Sequence, residues 1–163
     1  MFCYGIFKMH HVIKHIVKNI GISLFLVFSI LFVSNANSEQ SIEDVVKERK
    51  AIFSKNYKTA KKVHSLSAKG KLEEASELMI KMSKNYIKLL DLFPENSIEG
   101  FKTGALPSIW EEKEAFNQLM KKSSEDMVEL ASLIKTTDDI NGTIKKLMWS
   151  NCKACHSKYR EEH

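Results

Sequence analysis

At 163 residues and a formal net charge of +5, the chain has room for one domain and a targeting segment. The positive charge is concentrated at the start: without the first 36 residues, which hold Lys8, Lys14 and Lys18 and no acid, 22 basic residues face 20 acidic ones. No basic patch is interleaved with aromatics, so nucleic acid is excluded as a partner class.

Met1 to Lys18 reads as a basic leader, and Ile20 to Val33 as an apolar run too short for a membrane span, which takes about 20 residues. Small residues follow in Ser34-Asn35-Ala36 and Asn37-Ser38. Residues 1–36 are therefore expected to be a helical signal peptide, with an alternative end at 38. An uncleaved N-terminal anchor is the competing expectation. In either case the domain at 41–163 is expected on the far side of the membrane, in the periplasm.

Four helical stretches follow. The first opens at Ser41, with Asp44 three residues on as in a capping box. Its apolar face runs Ile42, Val45, Val46, Ile52, Phe53, Ala60, Val63, with Arg49 and Asn56 on the same face, and Gly70 is the stop. The second carries the stripe Leu72, Ala75, Met79, Met82, Tyr86, Leu89, Phe93 and ends at Pro94. A long loop reaches Pro107; loops of this length inside a compact domain are often functional. The third helix starts at Ser108, with Glu111 as its capping partner, and buries Ile109, Phe116, Leu119, Ser123, Met127, Leu130 and Ile134. The fourth starts near Thr137 or Asp138 and runs through Ile140, Ile144, Leu147 and Met148, weakened locally by Asn141-Gly142. Short connections favour antiparallel neighbours, so the expected fold is all-α, an up-down-up-down four-helix bundle.

The last helix ends in Cys152-Lys153-Ala154-Cys155-His156, the pattern of c-type haem attachment. Two sulfurs at this spacing add to the two vinyl groups as thioethers, and the next residue offers a neutral imidazole to the iron. A redox dithiol would sit beside a βαβ pattern, which is missing here. A zinc site would need partners, and only His64 and His163 remain beyond the leader. Cys3 lies in the leader, so no cysteine is left for a structural disulfide. The expected cofactor is one covalent haem c.

The bundle also indicates what faces the iron from the opposite side. His156 lies about seven residues from the end of its helix, and the matching depth on an antiparallel first helix falls near residues 49 to 56 at about 1.5 Å per residue. The inward residues there are Arg49, Ile52, Phe53 and Asn56. None is a methionine or histidine. Met82 and Met120 lie at similar depth on the second and third helices and are read first as core filling.

The whole of this pattern resembles the class II c-type cytochromes, the cytochrome c′ family and its low-spin relatives. The residues that carry the likeness are Arg49, Phe93-Pro94, Leu106-Pro107-Ser108-Ile109-Trp110 with Phe116, and the attachment site followed by Tyr159-Arg160. The resemblance implies that Cys152 and Cys155 bind haem covalently and that His156 is its axial ligand. It also implies that Arg49 lies near the propionates and Arg160 beside the proximal face. Lys50 stands where relatives often have glutamine, as a haem contact. Phe53 occupies the position of the apolar side chain that covers a vacant sixth site in cytochromes c′, where low-spin relatives have methionine.

Trp110 is read as packing near the haem edge, Trp149 and Tyr159 as bundle packing, and His64 and the Lys61-Lys62 and Lys121-Lys122 pairs as solvated. The functional expectation is a five-coordinate periplasmic haem protein that binds nitric oxide or carbon monoxide, carries electrons, or both. An apolar lid offers water and anions no hydrogen bond. The alternative is a low-spin electron carrier with Met82 or Met120 as sixth ligand; peroxidase-type chemistry has no distal histidine–arginine pair to support it. Partners are small diatomic gases, an unnamed periplasmic redox protein and, by family likeness, a second copy through the first and second helices.

Overall fold

The computed structural model describes residues 41–99 and 101–162. The expected signal peptide lies outside the described residues. In chain order the helices are α1 (Ile42–Ala68), α2 (Leu72–Leu89), a 3₁₀ turn (Glu95–Ser97), α3 (Ser108–Glu111), α4 (Lys113–Leu133), α5 (Ile140–Ile144), a π-helical turn (Lys145–Trp149) and α6 (Ser150–Tyr159). The described residues form no strand, and their one isolated bridge joins Ala105 to Arg160.

The ends of α1 follow from local chemistry. Ser41 Oγ accepts from the Asp44 amide at 3.2 Å and donates to its carboxylate at 2.7 Å, which satisfies one of the four unpaired amides of the first turn. At the other end Gly70 takes φ +70°, the left-handed conformation that costs glycine nothing. The Gly70 and Lys71 amides then donate back to Ser67 O and Leu66 O, each at 3.0 Å, closing the helix in a Schellman motif.

Cross-helix pairs give the register. Lys88 pairs with Glu48, and Asn85 Nδ2 donates to Asn56 Oδ1, so α2 runs antiparallel to α1. Ser76 Oγ donates to Ala131 O, and Ser83 shares a hydrogen bond with Ser124, so α4 runs antiparallel to α2. Asn151 Nδ2 donates to Asp126, and Phe116 packs edge-on against Tyr159, so α6 runs antiparallel to α4. The result is the expected up-down-up-down bundle. The second and third apolar stripes form its centre: Ala75, Met79, Met82, Leu89, Met127, Leu130 and Ile134 are all fully buried. Several fully buried methionines fill the irregular gaps that branched side chains leave.

Four local expectations are corrected. The second helix stops at Leu89 and not at Pro94, with Leu90 and Asp91 in a turn. The third helix breaks at Glu112 (φ −116°, ψ 41°), and Ser108 donates to Lys158 O in place of forming a capping box with Glu111. The fourth helix starts at Ile140, capped by Asp139, whose carboxylate accepts from the Gly142 amide at 2.8 Å. Gly142 is therefore part of the start signal: a Cβ there would meet Asp139 Oδ2 at 2.0 Å and displace the cap. Last, a π turn interrupts the fourth helix immediately before the attachment site. Its loosened carbonyls are taken up by side chains, Lys145 O by Ser150 and Leu147 O by Asn151. Such π insertions turn the following residues to a new face, and they recur at functional sites.

Candidate haem site

Helix α6 carries Cys152, Cys155 and His156 at i, i+3 and i+4, hence on one face. That face opens on a cavity of about 810 Å³, which α1 lines from across the bundle. This lies within the ~300–1,000 Å³ usual for cofactor pockets. The seven residues singled out above, Arg49, Lys50, Phe53, Cys152, Cys155, His156 and Arg160, all line this one cavity. Asn56 and Met120 line it too. Met82 does not: it is fully buried in the bundle core, one turn before Tyr86 of the same stripe, which does line the cavity.

Phe53 is half-buried and packs edge-on against Phe93, with ring centroids 6.2 Å apart. Phe93 in turn meets Phe116 and Trp110 edge-on. Arg49 is 2% exposed, with its guanidinium 4.6 Å from the centre of the Phe93 ring. It donates to Ser97 Oγ at 2.8 Å and to Leu92 O at 3.3 Å. Among the described residues no carboxylate pairs with it, and burial pushes its pKa down. A guanidinium keeps its charge even so, which leaves a buried cation suited to an anion. Lys113 stands near the same ring and donates to Phe93 O. Burial, and then Arg49, lower its pKa. Lys113 was not legible in the sequence as part of this cluster, because the break at Glu112 changes the face it presents.

The loop closes the cavity's edge. Gly104 takes φ +64°, and its carbonyl accepts from the Glu161 amide at 3.0 Å while the Leu106 amide donates to Tyr159 O at 3.1 Å. This two-bond clasp ties the loop to the end of α6 and sets Arg160 at the cavity. Lys50 Nζ donates to Lys102 O of the same loop. Trp110 packs behind Phe93 and donates its indole N–H to Pro94 O.

Burial pushes the Cys155 thiol up to about 12, with a smaller contribution from Cys152. Burial also raises Cys152, partly offset by the Tyr86 hydroxyl beside it. His156 is shifted down, first by burial and then by Arg160, so its imidazole is neutral near pH 7, the form that donates a lone pair to a metal. Tyr86 was read only as core. It is 6% exposed, and its hydroxyl lies beside both Cys152 and Asn56. Asn151 was also missed: the residue before Cys152, it donates its side-chain amide to Asp126 of α4 and to Leu147 O.

The residues present fit a haem of the c type. Two adjacent thiols and a neutral imidazole share one apolar cavity with a buried cation that lacks a carboxylate.

The family model described as Cytochrome C' matches residues 44–160. The chain belongs to the cytochrome c′ family. A cytochrome c′ of Rhodopseudomonas palustris is 31% identical over 120 residues, covering 72% of this chain and 82% of that protein. A solved structure of cytochrome c′ from Rhodopseudomonas palustris is 28% identical with a TM-score of 0.58, over 73% of this chain and 97% of that one. The cytochrome c′ of Thermochromatium tepidum shares the fold at 18% identity, with a TM-score of 0.63 over 75% and 98%. Membership makes this a haem c protein. No helix of the described residues is long and apolar enough to cross a membrane.

Proposed function

We propose that this chain is an exported, periplasmic cytochrome c′ carrying one haem. Cys152 and Cys155 hold it through thioethers, His156 is its axial ligand, and the opposite face is left open for nitric oxide or carbon monoxide. The observation that carries this reading is Phe53, an apolar side chain on the wall of the cavity that His156 also lines, with no lone pair to offer. When bound, the haem supplies a one-electron couple and a coordination position for small ligands.

The protein's own residues do the rest. Cys152 and Cys155 fix the group's position and His156 sets its fifth bond. Arg49, buried without a carboxylate, neutralises a propionate, with Lys50 and Arg160 adding positive charge at the rim. Phe53, braced edge-on by Phe93, keeps water out until a ligand displaces the ring. Electron exchange with a periplasmic redox protein is a companion role. Exposed Tyr57 and Ile87 offer apolar contacts for a homodimer through α1 and α2.

The second reading is a low-spin carrier, and it rests on Met120, which lines the cavity at 1% exposure. The absorption spectrum of the ferrous protein separates the two. A broad five-coordinate Soret band with merged visible bands is expected; sharp, split α and β bands would put Met120 on the iron instead.

A further inference from the structure

Charge is unevenly spread over the protein. Residues 49–72 hold eight lysines and arginines and no acid, whereas the rest of the chain beyond residue 36 holds fourteen against twenty. This cationic stretch covers most of α1 and reaches the opening of the cavity. Lys50, Tyr57 and Lys61 stand at i, i+7 and i+11, hence along one edge of α1, and all three are exposed. Lys50 and Tyr57 line the cavity, and Lys61 Nζ lies 4.3 Å from the centre of the Tyr57 ring, which holds its charge at the same edge. Across the opening stand Lys153 of α6 and Arg160 at its C-terminal cap, both exposed and both lining the cavity. No carboxylate is among the residues that line it. Among the described residues none of Lys50, Lys61, Lys153 and Arg160 enters an ion pair, whereas Lys71, Lys88, Lys122, Lys135 and Lys158 all do. The mouth therefore carries positive charge on both sides, more than two propionates met first by buried Arg49 can neutralise.

We propose that this cationic mouth docks an acidic one-electron carrier protein. The inference rests on the covalent haem proposed above and names the chemistry of its redox partner. Carboxylates of the carrier face Lys50, Lys61, Lys153 and Arg160, which brings its redox centre to the opening of the cavity. One electron then passes between the carrier and the iron, with no bond made or broken. Charge steering of this kind raises association rates by about 10–1,000-fold and fades with salt. An anionic bilayer attracts lysines too, but it also needs an apolar stripe to enter the acyl region, and Tyr57 is the one large apolar side chain exposed along α1. A second copy of this chain brings cations against cations. Lys61 reads as a solvated lysine in the sequence; the fold places it beside the opening.

The test uses the holoprotein with plant-type ferredoxin, an acidic one-electron iron–sulfur protein, as the probe. Stopped-flow reduction of the ferric protein by reduced ferredoxin should slow at least about tenfold between roughly 10 mM and 200 mM salt, as the Debye length shrinks from about 30 Å to below about 10 Å. At low salt Lys61→Glu/Lys153→Glu should be at least about tenfold slower than wild type, and calorimetry of the two oxidised proteins should show a matching loss of affinity. Lys69→Glu/Lys135→Glu makes the same change of net charge at the other end of the bundle, where Lys69 lies about 24 Å beyond Phe53 at 1.5 Å per residue. Its rate should stay within about threefold of wild type. Hexaammineruthenium(II), a small cation, should reduce the mouth variant faster than wild type, which separates lost docking from a damaged site. Should Lys153→Glu escape haem attachment, Lys61→Glu alone decides by the same comparison, with a loss of about threefold. A flat salt dependence, equal losses in the two double variants, or slower reduction of the mouth variant by both reagents overturns the inference alone. So does sedimentation with phosphatidylglycerol vesicles, or self-association, that the mouth variant abolishes while its ferredoxin rate is unchanged. A chain that carries no covalent haem overturns the proposed function and the inference together.

Discussion

Asn151, the residue before Cys152, donates its side-chain amide to the buried carboxylate of Asp126 on α4 at 2.8 Å. Asp126 also accepts from Lys122 one turn earlier, at 2.6 Å. The same Asn151 amide holds Leu147 O of the π turn at 2.8 Å. One buried acid therefore anchors the turn that sets the face of α6. Asp126→Ala leaves the Asn151 amide short of an acceptor, and a buried group stripped of its partner costs about 1–3 kcal/mol. The expected loss is about 2 kcal/mol in urea unfolding of the holoprotein. Lys122 is mostly exposed, so Lys122→Ala should cost under about 1 kcal/mol. Equal losses for the two substitutions would show that the Lys122 pair, and not Asn151, carries the effect.

Phe53 is the lid of the proposed open position. Ligands must push its ring from the Phe93 edge, and Phe53→Ala removes that cost. Carbon monoxide affinity should rise at least about tenfold, one decade being 1.4 kcal/mol. Phe53→Met should bring a thioether sulfur to the same place and move the ferrous spectrum towards low spin. Unchanged affinity in Phe53→Ala, measured by carbon monoxide titration, would mean another group covers the iron.

The bundle was legible because its stripes are long: Leu72 to Leu89 and Phe116 to Ile134 keep helical spacing for several turns, and every helix in them is antiparallel to its neighbour. The attachment site was legible because its chemistry demands one spacing. The depth argument put Arg49, Ile52, Phe53 and Asn56 on the inward face; Arg49, Phe53 and Asn56 line the cavity, whereas Ile52 is buried in the core, and of Met82 and Met120, which it treated alike, only Met120 lines the cavity. That distinction depends on which way α2 and α4 rotate, which periodicity alone leaves open. The break at Glu112, the π turn and the clasp between Ala105 and Arg160 were illegible for a related reason. Each is set by a tertiary partner, such as Lys158 for Ser108 or Asp126 for Asn151, distant in sequence.

Tyr86 links the site to alkaline stability. Burial, first among the causes, holds its phenol well above the ordinary 10.0, so the folded protein keeps the proton while the unfolded chain loses it. The stability tied to the protonated phenol is therefore fully present below about pH 10 and is lost as pH climbs through that value towards the folded one. Tyr86→Phe removes the titration at nearly constant volume. Thermal melts of holoprotein above pH 10 should fall less steeply in the variant; parallel alkaline limbs would exclude Tyr86 as the source.

Removing the haem should cost more than any substitution. A cavity of about 810 Å³ lined by Phe53, Phe93 and Phe116 cannot stay open without its occupant, and unfilled volume is destabilising. The apoprotein should keep helical far-ultraviolet dichroism and lose the near-ultraviolet signal of fixed aromatics. A cooperative apo transition at the temperature of the holoprotein would show that the bundle packs without the group.

The place of the iron depends on the two sulfurs of α6, and intact-mass spectrometry after acid denaturation tests them most directly. The exported chain should retain the mass of one haem, whereas Cys152→Ala and Cys155→Ala should each leave it held by one thioether or lost. A wild-type mass equal to that of the bare polypeptide would contradict covalent attachment at Cys152 and Cys155, and with it the assignment of His156 to the iron.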